Sequence, residues 1–120
     1  MKIIIDADAC PVVDVTVRTA KEREIDCTIV CDNTHSIEKD GATTIVVDKG
    51  ADSADCRIAN LTEKGDVIIT QDYGLAALVL GKGAKALNQN GLIYTDSNIN
   101  NRTCISINYN FHFSSLFNLN

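Results

Sequence analysis

A chain of 120 residues fits one domain and can bury a single core without disulfide or metal staples. Its 16 acidic and 11 basic side chains give a formal charge of −5. That balance argues against a general electrostatic grip on nucleic acid, which rests on many Lys and Arg contacts to phosphate, but leaves room for a local basic patch or a metal-mediated contact.

The chain opens on MKIIIDADAC, with one basic residue and an apolar run broken at Asp6. This is neither a secretory signal nor a membrane span, so a cytoplasmic protein without membrane attachment is expected. KIIID (2 to 6) reads as a first strand. Pro11 then stands where a helix can begin, with Val13, Val17 and Ala20 on one face and Arg18, Lys21 and Glu22 elsewhere. CTIVC (27 to 31) reads as a second strand, and its period of two sends Cys27 and Cys31 to the same face. The five cysteines form no CxxC pair and cluster with neither His35 nor His112, so reduced thiols are expected rather than zinc ligands.

CDNTHSIEKDGA is polar and fits a loop or a short helix, and TTIVV (43 to 47) follows as a third strand. Asp52 to Leu61 offers a helix ended by Gly65. DVIIT (66 to 70) is a β-branched run between Gly65 and Gly74, the pattern of a strand buried on both faces. GLIYT (91 to 95) is a weaker fifth run. Strands alternating with helices imply βαβ units and a mainly parallel sheet covered on both sides, an α/β/α arrangement over residues 1 to 97.

Residues 98 to 120 differ in composition, being rich in asparagine with Arg102 their only formally charged side chain. Ile105, Ile107, Tyr109, Phe111 and Phe113 alternate as a strand would, against the sheet edge or a second copy in a homo-oligomer. The segment equally fits a tail free of the constraint that shaped the rest.

The acids carry the chemistry. Asp6 and Asp8 stand at the carboxyl end of the first strand, and Asp72 just beyond the fourth. GADSAD places Asp52 and Asp55 three apart, on one face of the helix that precedes the fourth strand. In an open parallel sheet, ligands bind at the carboxyl ends where the strand order reverses. If the first and fourth strands are neighbours, five carboxylates converge there. Three of them have a structural alternative, since Asp8, Asp52 and Asp72 can cap helices or turns; Asp48 and Asp66, outside the five, fit turn residues. Converging carboxylates repel unless a cation or proton sits among them. Oxygen ligands without a His or Cys cluster suit Mg²⁺ or Mn²⁺. No GxSxG, P-loop, GxGxxG or HExxH competes.

The stretches IIIDADACPV, GADSADCRIANLTEKGDVIITQDYGLAALVLGKGA and GLIYTDSNI, in that order, resemble the bacterial YaiI/YqxD family, a group related to PIN-like nuclease domains. The resemblance covers roughly residues 1 to 100 and implies a PIN-like three-layer α/β/α fold with the first and fourth strands adjacent. It further implies Asp6, Asp55 and Asp72 as catalytic acids, with Asp8 and Asp52 completing the metal ligands. Thr70 would orient the strand end in the T-x-D pattern. The function so implied is metal-dependent phosphodiester hydrolysis with RNA or another nucleic acid as partner. Lys82 and Lys85 are candidates for contacting phosphate.

Three other readings stay open on the residues alone. A signalling receiver would use Asp6 and Asp8 as its acidic pocket, Asp48 as phosphoacceptor and Thr70 as switch. A haloacid-dehalogenase-type phosphatase would use Asp6 as nucleophile in the apolar-apolar-DAD pattern. A non-catalytic module would hold a metal or partner structurally.

Overall fold

The computed structural model describes residues 1–6, 13–32, 39–47, 54–89 and 92–95. In chain order the elements are β1 (Lys2–Asp6), α1 (Val13–Glu22), β2 (Asp26–Asp32), β3 (Thr43–Val47), α2 (Ala54–Leu61), β4 (Val67–Ile69), α3 (Tyr73–Gly81) and β5 (Lys85–Leu87). The strands form one sheet in the order β3-β2-β1-β4-β5, every neighbouring pair parallel. Beside β1 runs β4, with Ile3, Ile4 and Ile5 opposite Val67, Ile68 and Ile69.

The period-2 alternation of strand side chains divides the core into two layers. Ile3, Ile5, Cys27, Ile29, Val67, Ile69 and Leu87 face α1, meeting Val13, Val17 and Ala20. Ile4, Val30, Ile68 and Ala86 face the other way and meet Ile58 of α2 and Leu75, Ala76 and Val79 of α3. Ile3, Ile4 and Ile5 of β1 and all of β4 are buried, as expected of β-branched runs without a polar face. The result is a three-layer α/β/α architecture in which, among the described helices, α1 covers one side and α2 and α3 the other.

The fifth strand differs from the expectation. KAL, not GLIYT, joins the sheet, because α3 ends in a tight turn at Gly83, whose φ of +86° suits a residue without Cβ. The chain therefore re-enters the sheet at once, with the Lys85 N–H donating to the Asp66 carbonyl at 2.8 Å. Of GLIYT, Ile93 makes only an isolated antiparallel bridge to Leu87. α2 begins at Ala54, and Asp52 lies outside the described residues, as do residues 33–38 and 98–120.

The strand order also bears on the receiver reading. That architecture runs 2-1-3-4-5, with the third strand beside the first. Here β2 separates β3 from β1, and β3 is at the edge among the described strands. A phosphoacceptor at Asp48 would follow the wrong strand.

Asp66 is likewise no ordinary turn residue. It is 3% exposed and accepts from Lys2 Nζ at 2.7 Å, the Glu63 N–H at 2.8 Å and the Lys2 N–H at 3.1 Å. Burial pushes its carboxyl up, but these donors outweigh that and hold it below the usual 3.8. The hydrogen bond to Asp66 raises Lys2 above 10.5 against the opposing effect of burial. This pair joins the amino ends of β1 and β4, opposite the edge where the candidate site lies.

Candidate functional site

The chain after β1 enters α1 on one face of the sheet, whereas the chain after β4 enters α3 on the other. The strand order therefore reverses between β1 and β4, and the crevice opens at their carboxyl ends. Register explains which side chains reach it. Ile5 is opposite Ile69, so Asp6 and Thr70 follow as the next pair, and both share the parity of Ile4 and Ile68, which face α2 and α3. Asp55 stands in the first turn of α2 on that same side. An open cleft of about 700 Å³ results, lined by Asp6, Ala54, Asp55, Gln71 and Asp72. Three predicted acids from three separate elements thus share one cleft.

Their bonding is not uniform. Asp6 is 8% exposed and its Oδ2 accepts from Thr70 Oγ1 at 3.0 Å. Thr70 is fully buried, and its hydroxyl in turn accepts from the Asp72 N–H at 3.0 Å. One hydroxyl therefore links the two strand-end acids, beyond the orienting role the resemblance implies for Thr70. Asp72 is the N-cap of α3, with Oδ1 accepting from the Gly74 N–H at 2.8 Å and the Leu75 N–H at 3.3 Å. The cap and the cleft-lining position are both real: Oδ1 serves the helix, and Oδ2 stands outside the cap.

Asp8, Asp48, Asp52, His35 and His112 lie outside the described residues. Among the described residues, no three Asp, Glu, His or Cys side chains are gathered closely enough to hold a metal ion by themselves. The donor chemistry of the cleft is all oxygen, with no His or Cys among its described lining, and so fits a hard divalent cation such as Mg²⁺ or Mn²⁺.

The lysines proposed for phosphate contact sit elsewhere. Lys85 pairs in register with Val67, the first residue of β4, at the amino edge of the sheet, and Lys82 caps the end of α3 with its Nζ on the Ala59 carbonyl. Lys85 is thus a strand residue. Cys27 and Cys31 are buried free thiols, and burial pushes Cys27 up to about 11; Cys56 is exposed. No described helix is long and apolar enough to cross a membrane.

Sequence reasoning did not single out Gln71 or Tyr94. Gln71 supplies an amide to the cleft between Thr70 and Asp72. Tyr94 donates its hydroxyl to the Thr70 carbonyl at 3.2 Å from beyond β5. The T-x-D spacing points to Gln71, whereas the Tyr94 contact depends on a fold across 24 positions.

A family model described as "Uncharacterized BCR, YaiI/YqxD family" matches residues 4–107. The chain is similar to the UPF0178 protein of Ruminiclostridium cellulolyticum, 50% identical over 99 residues that make up 82% of this chain and 65% of that protein. It is similar to the UPF0178 protein of Alkaliphilus oremlandii at 50% over 99 residues, 82% and 64% of the two chains. For the UPF0178 protein of Exiguobacterium sibiricum the identity is 48% over 99 residues, 82% and 67% of the two chains. The matched stretch thus spans slightly less than two thirds of the first two relatives. No solved structure gives a significant match. With a family model matched from β1 to beyond the last described residue, and relatives about half identical over the same stretch, the chain belongs to the YaiI/YqxD family.

Proposed function

We propose that this protein is a divalent-metal-dependent phosphodiesterase that cleaves nucleic acid, with RNA as the substrate class. The observation that carries the reading is the meeting of Asp6, Asp55 and Asp72, from β1, α2 and the α3 N-terminus, in one cleft at the switch point of a parallel sheet. Asp8 and Asp52, next to these in sequence, are proposed to complete the ligands. Mg²⁺ or Mn²⁺ held there supplies Lewis-acid stabilisation of phosphoryl charge and activation of water.

The protein's own residues prepare that cleft. Thr70 fixes the Asp6 carboxylate through its hydroxyl, and the α3 N-cap fixes Asp72, so neither side chain has to be ordered when a cation arrives. The described lining carries three carboxylates and no cationic side chain, so a phosphodiester approaches it favourably only when positive charge has been bound first.

Incubating the protein with single-stranded RNA and Mn²⁺ tests the reading. The expected result is cleavage that a chelator abolishes and that Asp6→Asn protein lacks. Cleavage unaffected by Asp6→Asn would assign the activity to something other than this site.

A second reading, a non-catalytic metal- or partner-binding module, is favoured by the bonds that Thr70 and α3 already make to Asp6 and Asp72. Mn²⁺-dependent stabilisation without cleavage of RNA or DNA would put it first.

A further inference from the structure

The two strand-end acids are joined through a hydroxyl with a single proton. Thr70 Oγ1 gives that proton to Asp6 Oδ2, so a lone pair is left to receive the Asp72 N–H. Where this hydroxyl sits depends on the Thr70 backbone, and both polar groups of that backbone are held from outside β4. Its N–H donates to the Leu87 carbonyl at 2.9 Å, and its carbonyl accepts from the Tyr94 hydroxyl at 3.2 Å.

Tyr94 is 3% exposed, and its ring meets that of Tyr73 edge to face, with centroids 5.5 Å apart and planes at 73°. It therefore touches both ends of the Thr70–Tyr73 turn that carries Gln71 and Asp72 into the cleft, without being among the cleft's lining residues. Tyr94 is itself anchored. Its N–H donates to the Ala86 carbonyl at 2.9 Å, and just before it the Leu92 N–H meets Asn88 Oδ1 at 2.9 Å.

We propose that Tyr94 is a positioning residue for the acidic site, its hydroxyl and ring together fixing the turn that sets Asp72 against Asp6. The functional consequence rests on the metal-site reading above, but the geometric part does not. Without the phenol hydroxyl, the buried Thr70 carbonyl loses a donor, and the turn must shift to hydrate it. That shift moves the Thr70 hydroxyl, and with it the relation between the two carboxylates.

Amide hydrogen exchange in metal-free wild-type and Tyr94→Phe protein tests this, because phenylalanine keeps the ring against Tyr73 and removes only the hydroxyl. The Asp72 amide is expected to exchange about tenfold faster in the variant, roughly the factor that one hydrogen bond contributes. The Ile4 and Ile68 amides should keep their rates, whereas a merely structural role would speed all three alike. Unchanged Asp72 exchange relative to the core overturns the proposal. So does an unprotected Asp72 amide in the wild type, whatever the fate of the variant. A parallel Mn²⁺ titration is expected to show weaker binding by Tyr94→Phe. Absence of binding by the wild type would remove the metal reading, while the exchange rates still decide the role of Tyr94.

Discussion

Asp72 does two things with one carboxylate. Its Oδ1 caps α3 through the Gly74 and Leu75 amides, while the residue lines the cleft beside Asp6 and Asp55. The two roles respond differently to substitution, since asparagine caps a helix about as well as aspartate and alanine does not. Asp72→Ala is therefore expected to lower unfolding stability by about 1 kcal/mol in a denaturant titration, with Asp72→Asn within about 0.5 kcal/mol of the wild type. Equal losses in both variants would mean that charge, not the cap geometry, stabilises this helix end. At this scale much of the candidate site was legible, because Asp6 ends one β-branched strand, Asp72 lies just beyond another and Asp55 stands in the first turn of a helix. Tyr94 was not, because nothing local in GLIYT marks its hydroxyl as the partner of a carbonyl 24 positions away. Nor was the buried state of Asp66, which looks like a turn residue until register brings Lys2 to it.

The elements show the same division. β1 and β4 could be read because III and VII have no polar face and are buried on both sides, and β2 and β3 because CTIVC and TTIVV are rich in β-branched residues. β5 escaped because KAL is short, begins with a lysine and is less apolar than the neighbouring GLIYT. Its place comes from the turn at Gly83 and from pairing with β4. Between β1 and β4 the amino ends are joined by Lys2 and Asp66, which gives a pH prediction. Asp66 has its carboxyl lowered by folding, so the unfolded chain binds more protons in that window and stability rises with pH there. The contribution is present above 3.8 and is lost as the pH drops through the lower folded value. Lys2 is raised, so its share persists to 10.5 and is lost as the pH rises through the higher folded value. Asp66→Asn is expected to cost about 1.5–3 kcal/mol at pH 7, the range for hydrogen bonds to charged groups, since Lys2 is partly hydrated and keeps its ion pair with Glu63. Denaturant titrations of both proteins at neutral pH and well below 3.8 check this: the difference should shrink in acid, and one independent of pH would contradict the assignment.

For the molecule as a whole, topology does the gathering. An order of β3-β2-β1-β4-β5 puts the ends of β1 and β4 side by side, with the start of α2 over the same edge. Three acids scattered over 67 positions thereby share one cleft. The net charge of −5 and a lining of carboxylates make that cleft unfavourable for phosphate until a cation enters. The central claim is therefore the cation. Calorimetric titration of Mn²⁺ into wild-type and Asp72→Asn protein tests it most directly, since asparagine keeps the cap and removes the charge. Saturable binding by the wild type that Asp72→Asn loses is the predicted result. No binding by the wild type, or the same isotherm from both proteins, would contradict it.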